Sequence, residues 1–290
     1  MLTNSILGDL KYYLRYGNVV VKLIIANTVL FLLFVVASII IDKTWSSQWL
    51  ISYLGTPANV IALAAKPWTL ITYMFVHGGI IHLLLNMLGL YWFGEIFVLY
   101  LGEQKVLPLY LLGGLAGALF YLGGINLIPA YQYLKPSAVL VGASGSIFAI
   151  MFATVALNAE HKVNLSLFGE VKIVWVAVIA LAIGVINMLV GNNVGGGLAH
   201  IGGSLFGYVY IKSLHGGVDV SKPFTAAKGL FKPKRNVKIT YKSDHPQVGK
   251  ASRSSNEQER IDAILDKISR SGYDSLTKEE RDFLFDYSNK

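Results

Sequence analysis

The sequence predicts an all-α membrane protein: a compact bundle of six transmembrane helices followed by a short C-terminal cytoplasmic helical hairpin. Three observations predict it. The 290-residue chain is 54% hydrophobic and only 14% charged, whereas soluble domains run near a quarter charged. Its mean hydropathy is +0.53. The apolar residues gather into six long stretches, most of them near the roughly 20 residues that a helix needs to cross a bilayer.

The stretches are Leu23–Ile41, Gly79–Leu101, Val106–Ile125, Val139–Leu157, Ile173–Val190 and Leu198–Leu214. An even number of spans puts both termini on one side. Lys11, Arg15 and Lys22 precede span one, Lys105 lies between spans two and three, and Lys162 and Lys172 lie between spans four and five. The opposite loops carry Lys43, Lys66 and Lys135. Basic loops stay cytoplasmic, so both termini are expected inside, in a multi-pass protein. The N-terminus lacks the basic start, apolar run and small-residue cleavage site of a signal peptide, so span one is expected to remain as an anchor.

Glycines crowd the spans: Gly113, Gly114 and Gly117 in span three, Gly142 and Gly145 in span four, Gly203 and Gly207 in span six. Small residues let helix backbones approach closely in lipid, which predicts a tight bundle. The long outer loop Asp42–Val76 holds Pro57, Pro67, Trp68 and Tyr73 and reads as a partly ordered segment at the interface, where Trp and Tyr prefer to sit.

Four regions follow: a cytoplasmic N-terminal segment (1–18), the six-helix domain (19–215), a basic flexible linker (216–255) and a small helical hairpin (256–290). In the hairpin, Ile261, Ile264, Leu265 and Ile268 recur at helical spacing, Gly272 can end that helix, and Asn256/Glu259 and Thr277/Glu280 fit helix-start capping patterns. The hairpin has 6 Lys+Arg against 9 Asp+Glu, a net of −3, so the rest of the chain carries +11 of the total +8. These charges flank spans or fill the linker, which fits membrane orientation and not nucleic-acid binding. The absence of cysteine excludes disulfides and thiolate metal sites.

Ionisable groups inside spans are costly and usually functional. His161, His215 and His245 fall in cytoplasmic segments and read as solvated. His77 sits just before span two, His82 within it, and His200 within span six. Spans two, four and six all run from outside to inside. At 1.5 Å per residue, His82, Asn86, Ser144 and His200 all fall within about 10 Å of the outer ends. Three helices thus bring polar groups to one depth.

The group types suit acyl transfer. Ser144 supplies a hydroxyl and His200 a base to take its proton. His82 and Asn86, four apart, share a helix face, and both can donate to a developing oxyanion. Ser144 lies near its helix N-terminus, where free N–H groups favour negative charge. Gly142 and Gly145 leave room for a substrate carbonyl. No carboxylate lies at this depth, so a dyad is expected. Taken singly, the Gly-Ala-Ser-Gly motif reads as helix packing, and Asn86 or His82 as an interhelical hydrogen-bond partner; it is their convergence that favours catalysis. His77, on another face, reads as a supporting group. A metal site from His77, His82 and His200 would lack a carboxylate and any HExxH pattern, so no metal or cofactor is expected. Glu95, deeper in span two, reads as paired within the bundle or as reaching the inner surface.

Together these residues resemble the rhomboid family of intramembrane serine proteases, over about residues 20–215. The family's H-x4-H-x3-N appears as His77, His82 and Asn86. Its G-x-S-G appears as Gly142, Ala143, Ser144 and Gly145, and its A-H-x2-G-x3-G as Ala199, His200, Gly203 and Gly207. The resemblance implies Ser144 as nucleophile, His200 as general base, and His82, Asn86 and the Ser144 N–H as oxyanion hole. It also implies that Phe148, one turn after the serine, packs on the histidine, and that single-span membrane proteins are cut near their outer boundary. It points to a bacterial member, in the inner (cytoplasmic) membrane. There are departures: the family's Trp-Arg is Trp68-Thr69 here, and its late glutamate in span two is replaced by Val98 and Leu99, for which Glu95 can substitute. The alternatives are an inactive rhomboid-like protein that binds membrane clients, and a channel or transporter. A cytoplasmic partner for the hairpin is a further expectation.

Overall fold

The computed structural model describes residues 6–42, 48–165, 169–222 and 255–288. It forms two compact units, Met1–Lys232 and Pro233–Lys290. The first is a helical membrane bundle.

Helix α1 (Ile6–Tyr16) ends at a turn, and α2 (Val19–Asp42) follows as the first long apolar helix. Asn18 begins α2: its side-chain oxygen accepts from Val21 N–H at 3.0 Å, while its amide donates to Glu95 Oε1 at 2.8 Å. Glu103 Oε2 accepts from Val19 N–H at 3.2 Å. Glu95 is therefore paired within the bundle, the first of the two expected alternatives.

The long loop after α2 is built of short elements where described. It forms α3 (Gln48–Leu54), β1 (Thr56–Pro57), α4 (Val60–Ala65), α5 (Thr69–Thr72) and a 3-10 turn at Tyr73–Phe75. Side chains tie these pieces together: Thr56 Oγ1 donates to Thr69 O at 2.8 Å, Thr72 Oγ1 to Leu54 O at 2.6 Å, and Trp68 Nε1 to Tyr53 O at 3.0 Å. This is how the Trp68-Thr69 pair anchors the loop.

Next come α6 (Ile80–Leu101), α7 (Val106–Leu127), a 3-10 segment at Pro129–Leu134, β2 (Val139–Leu140) and α8 (Ser144–Leu157). They are followed by a hairpin of β3 (Lys162–Leu165) and β4 (Gly169–Lys172), then α9 (Ile173–Leu189) and α10 (Val194–His215). Among the described residues, three helical stretches are long and apolar enough to cross a membrane: Val19–Ile41, Ile80–Leu101 and Glu103–Leu127. The apolar α8 and α9 are shorter, and α10 is rich in glycine.

The expected fourth span, Val139–Leu157, starts five residues late as a helix. Val139 and Leu140 are extended and pair antiparallel with Pro57 and Thr56. Gly142 follows at φ +116°, a conformation closed to a helix and open mainly to glycine. Conversely, α10 begins at Val194, four residues before the expected start, because Asn193 caps it by accepting from Gly196 N–H at 2.9 Å. The β3–β4 hairpin had no counterpart in the sequence reading. His161, read as solvated, is paired: its Nδ1 lies 2.8 Å from Tyr100 Oη.

Helix α8 is central, with Gly145–Met151, Ala153 and Thr154 all buried. Glycine makes that possible. A side chain at Gly203 would collide with the Gly145 carbonyl, at Gly207 with the Ala149 carbonyl, and at Gly113 with the Ala149 side chain. The outward faces are apolar: Leu32, Leu33 and Val36 on α2, and Trp175, Ile179, Ile183 and Ile186 on α9 are exposed. In water such a surface would aggregate; in a bilayer it needs no cover.

The stretch after α10 stays attached to the bundle through Lys222. Lys105 Nζ forms an ion pair with Asp219 Oδ2 and donates to Ser221 Oγ at 3.0 Å. Ser221 is fully buried. Most of the stretch read as a linker, 223–254, lies outside the described residues.

The second unit, described over 255–288, is a helix pair: α11 (Ser255–Ser271) and α12 (Lys278–Ser288). Gly272 ends α11 at φ +77°, as expected. The expected capping box is formed: Glu280 N–H donates to Thr277 Oγ1 at 3.3 Å, and Thr277 N–H to Glu280 Oε2 at 2.7 Å. The Asn256/Glu259 side chains lie outside those described. Ile261, Ile264 and Leu276 are buried, whereas Leu265 is half exposed.

Candidate active site

Ser144 is the first residue of α8 and His200 the seventh of α10. These helices are in contact through the glycines above, and Ser144 Oγ lies 2.8 Å from His200 Nε2. That is hydrogen-bond distance between a hydroxyl and a ring nitrogen able to accept its proton. The other ring nitrogen, Nδ1, is buried with no hydrogen-bond partner among the described residues. Among the described residues, no carboxylate bonds to the ring. Packing orients it instead: Phe148 stacks on it with ring centroids 4.2 Å apart and 19° between planes. On the other side, Nδ1 abuts the backbone at Gly184, where an added Cβ would come within 2.6 Å.

Phe148 therefore takes the position expected of it. One turn separates it from Ser144 on α8, so the two share a face.

The second pair of residues reaches the same place from α6. A Cβ on Gly142 would lie 2.7 Å from His82 Nε2 and 3.8 Å from Asn86 Nδ2. Both groups thus face the backbone two residues before Ser144. Asn86 is buried, and its Nδ2 has no acceptor among the described residues. A buried amide donor without an acceptor costs on the order of 1–3 kcal/mol, and this one faces the backbone just before Ser144. The position required of Gly142 has two causes: its backbone angle, and the approach of His82.

His77 is buried behind this pair and meets His82 edge-on, with centroids 5.2 Å apart.

A cavity of about 360 Å3 opens beside His82. Its walls include His82, Tyr121, the extended Val139–Val141 and the turn Gly191–Gly196. The edge of an extended strand and a glycine-rich turn present backbone donors and acceptors to a bound peptide.

Two residues essential to this geometry escaped the sequence reading. Tyr73, an aromatic expected at the membrane interface, is the first. Its carbonyl accepts from Gly142 N–H at 3.0 Å, and its hydroxyl donates to Gly114 O at 2.7 Å. It thereby fixes the turn that delivers Ser144. The second is Gly184, which makes room for His200. A lone Gly and a Tyr near a span end carry no signal of their own; their roles come from partners distant in sequence.

No group of three or more His, Cys, Asp or Glu able to hold a metal occurs among the described residues.

Residues 64–216 match the Rhomboid domain family, and residues 251–290 match a family of unknown function (DUF6576). RHOMBOID-like protein 12, mitochondrial, from Arabidopsis thaliana is 28% identical over 195 residues, covering 64% of this chain and 55% of that protein. Rhomboid-like protein 16, chloroplastic, from the same plant is 29% identical over 187 residues, covering 61% and 55%. Presenilin-associated rhomboid-like protein A, mitochondrial, from Danio rerio is 31% identical over 144 residues, covering 47% and 35%. The chain spans about half the length of the first of these relatives. All three are eukaryotic proteins with organellar names, so they support a membrane rhomboid and lend nothing to the expected bacterial compartment. With more than half of its residues inside the Rhomboid domain match, and with its helices packed into an apolar-faced bundle, the chain belongs to the rhomboid family.

Proposed function

We propose that the protein is an intramembrane serine endopeptidase that cuts single-span membrane proteins near their outer boundary. One observation carries this reading: Ser144 Oγ at 2.8 Å from His200 Nε2, in a part-buried site flanked by two further donors.

In the mechanism, Ser144 Oγ attacks the scissile carbonyl while His200 Nε2 takes its proton. The carbonyl oxygen becomes an oxyanion, which His82, the Asn86 amide and the Ser144 N–H stabilise. His200 then gives its proton to the leaving amine as the C–N bond breaks. A water molecule, deprotonated by His200, attacks the resulting ester and frees the acid product and Ser144. Neither a metal nor a cofactor takes part.

Access demands that the substrate helix open first. A peptide bond inside a regular helix is enclosed by its own hydrogen bonds, whereas Gly or Pro loosens it. Small residues are favoured at the cut because Gly142, Gly145 and Gly203 draw the backbones close. The proposal includes six membrane crossings, both termini on the cytoplasmic side and residence in a bacterial inner membrane. The linker 216–255 and hairpin 256–290 are then cytoplasmic, with the hairpin free to engage a partner there.

A fluorophosphonate probe tests the chemistry. Labelling of the purified enzyme is expected, with its loss in Ser144→Ala and His200→Ala while both stay folded. The same enzyme should cut a model substrate more slowly once the Gly and Pro of its span are replaced by Leu. Cleavage surviving in Ser144→Ala would exclude the covalent mechanism. Intact client binding without labelling would favour an inactive rhomboid-like binder.

A further inference from the structure

We propose that α1 is an interfacial anchor that lies in the headgroup layer and binds an anionic lipid surface. The inference depends on the bundle lying in a membrane and is independent of any protease activity.

The helix ILGDLKYYLRY is amphipathic. At 100° per residue, Leu10, Tyr13 and Leu14 share one face, while Lys11, Tyr12 and Arg15 turn to the other. Lys11 to Tyr16 are all exposed, including Tyr12 at 57%, Tyr13 at 47%, Leu14 at 49% and Tyr16 at 64%. Three tyrosines and a leucine in water would be an apolar patch without cover. At a bilayer surface they are at home, because tyrosine rings have an apolar body and a polar tip.

A built junction sets this helix apart from the span that follows. Gly17 N–H donates to Tyr13 O at 2.8 Å, closing α1, and a Cβ at Gly17 would collide with that same carbonyl. Asn18 then starts α2 anew and is held by Glu95, with Glu103 holding Val19 N–H. The chain thus stops one helix and begins another at the end of a membrane span. The rigid clamp leaves α1 beside the bilayer surface and not as a loose tail.

Charge selects the kind of surface. Lys11 and Arg15 lie one turn apart, and Lys22 follows in the first turn of α2, against a single Asp9. Arg15 sits over the Tyr16 ring at 5.3 Å, so its cation is presented on an aromatic platform. Basic residues beside a span are drawn to anionic lipid headgroups.

The chain has no cysteine, so single-cysteine spin labels can be placed at positions 10 to 16 of the full-length protein without background. In nanodiscs of phosphatidylcholine with phosphatidylglycerol, positions 10, 13 and 14 are expected to be several times more accessible to oxygen than to a nickel chelate. Positions 11, 12 and 15 should show the reverse. Lys11→Glu with Arg15→Glu should abolish this periodic pattern, as should nanodiscs of phosphatidylcholine alone if charge is the main attraction. Uniform nickel access at all positions would overturn the proposal by placing α1 in water. Occlusion from both reagents would overturn it in favour of a protein partner. A pattern identical in both lipids would remove the anionic preference.

Discussion

Ser144 and His200 stand 56 positions apart in sequence yet within one hydrogen bond. His82 and Asn86 converge on the backbone before Ser144 from a third helix. If these two donors act on the oxyanion, their loss falls on the transition state and not on binding. We expect His82→Ala and Asn86→Ala each to lower kcat by about 10²-fold, the lower end of what one oxyanion donor supplies, with KM little changed. Steady-state cleavage in detergent checks this, and an effect confined to KM would reassign both residues. The candidate residues were legible in sequence because ionisable groups inside apolar spans stand out. Tyr73 and Gly184 were not, since the first works through its main-chain carbonyl and the second through having no side chain. Sequence patterns report side-chain chemistry, and neither role has one.

Among the elements, α8 and α10 approach more closely than any residue but glycine allows. Adding a methyl at Gly203 or Gly207 forces it into a carbonyl of α8. Overpacking a tight core costs typically 1–3 kcal/mol. Gly203→Ala and Gly207→Ala should therefore lower the thermal midpoint in detergent and separate Ser144 from His200. Gly123, on α7, has open space where a Cβ would go. Gly123→Ala should leave stability unchanged or raise it slightly, since glycine disfavours helix. Equal behaviour of all three variants would count against the packing account.

The element that leaves the bundle has its own device. Lys105 and the Ser221 hydroxyl beside Asp219 hold its carboxyl down, to about 2 from an ordinary 3.8. A depressed carboxylate pKa stabilises the folded contact above the ordinary value and loses that contribution as pH falls towards the folded one. A spin label at Val220, an exposed position between the two partners, should be immobile at neutral pH. It should gain mobility between about pH 4 and 2, and do so at all pH values in Asp219→Asn or Lys105→Ala. Unchanged mobility in both variants would show that the clasp does not hold the segment.

On the scale of the whole molecule, charge placement makes the prediction. Cysteines at Ser137 and Asn192 should react with an impermeant maleimide added outside intact cells, whereas one at Ser254 should not. The reverse result would invert the orientation and move the proposed cut to the other face. The glycine-packed bundle and its apolar exterior match the sequence expectation well, because hydropathy summed over about 20 residues is insensitive to local detail. Helix starts matched less well. Val139–Leu140 are as apolar as any span residue, yet they pair as a strand with Thr56 and Pro57.

From sequence alone came the membrane class, the apolar helices, the hairpin tail, and the candidate serine, histidines and asparagine. The first three rest on composition or spacing within a single segment, where a residue's own polarity decides, and the candidate site on polar groups of three segments falling at one depth. The folded chain added the register: Ser144 as the first residue of its helix, Gly142 turned to φ +116° under the Tyr73 carbonyl, and His200 set between Phe148 and Gly184. These depend on backbone hydrogen bonds and van der Waals contacts between segments far apart in the chain. A backbone N–H or carbonyl is nearly the same at every residue, so no pattern of side chains announces which one it will meet.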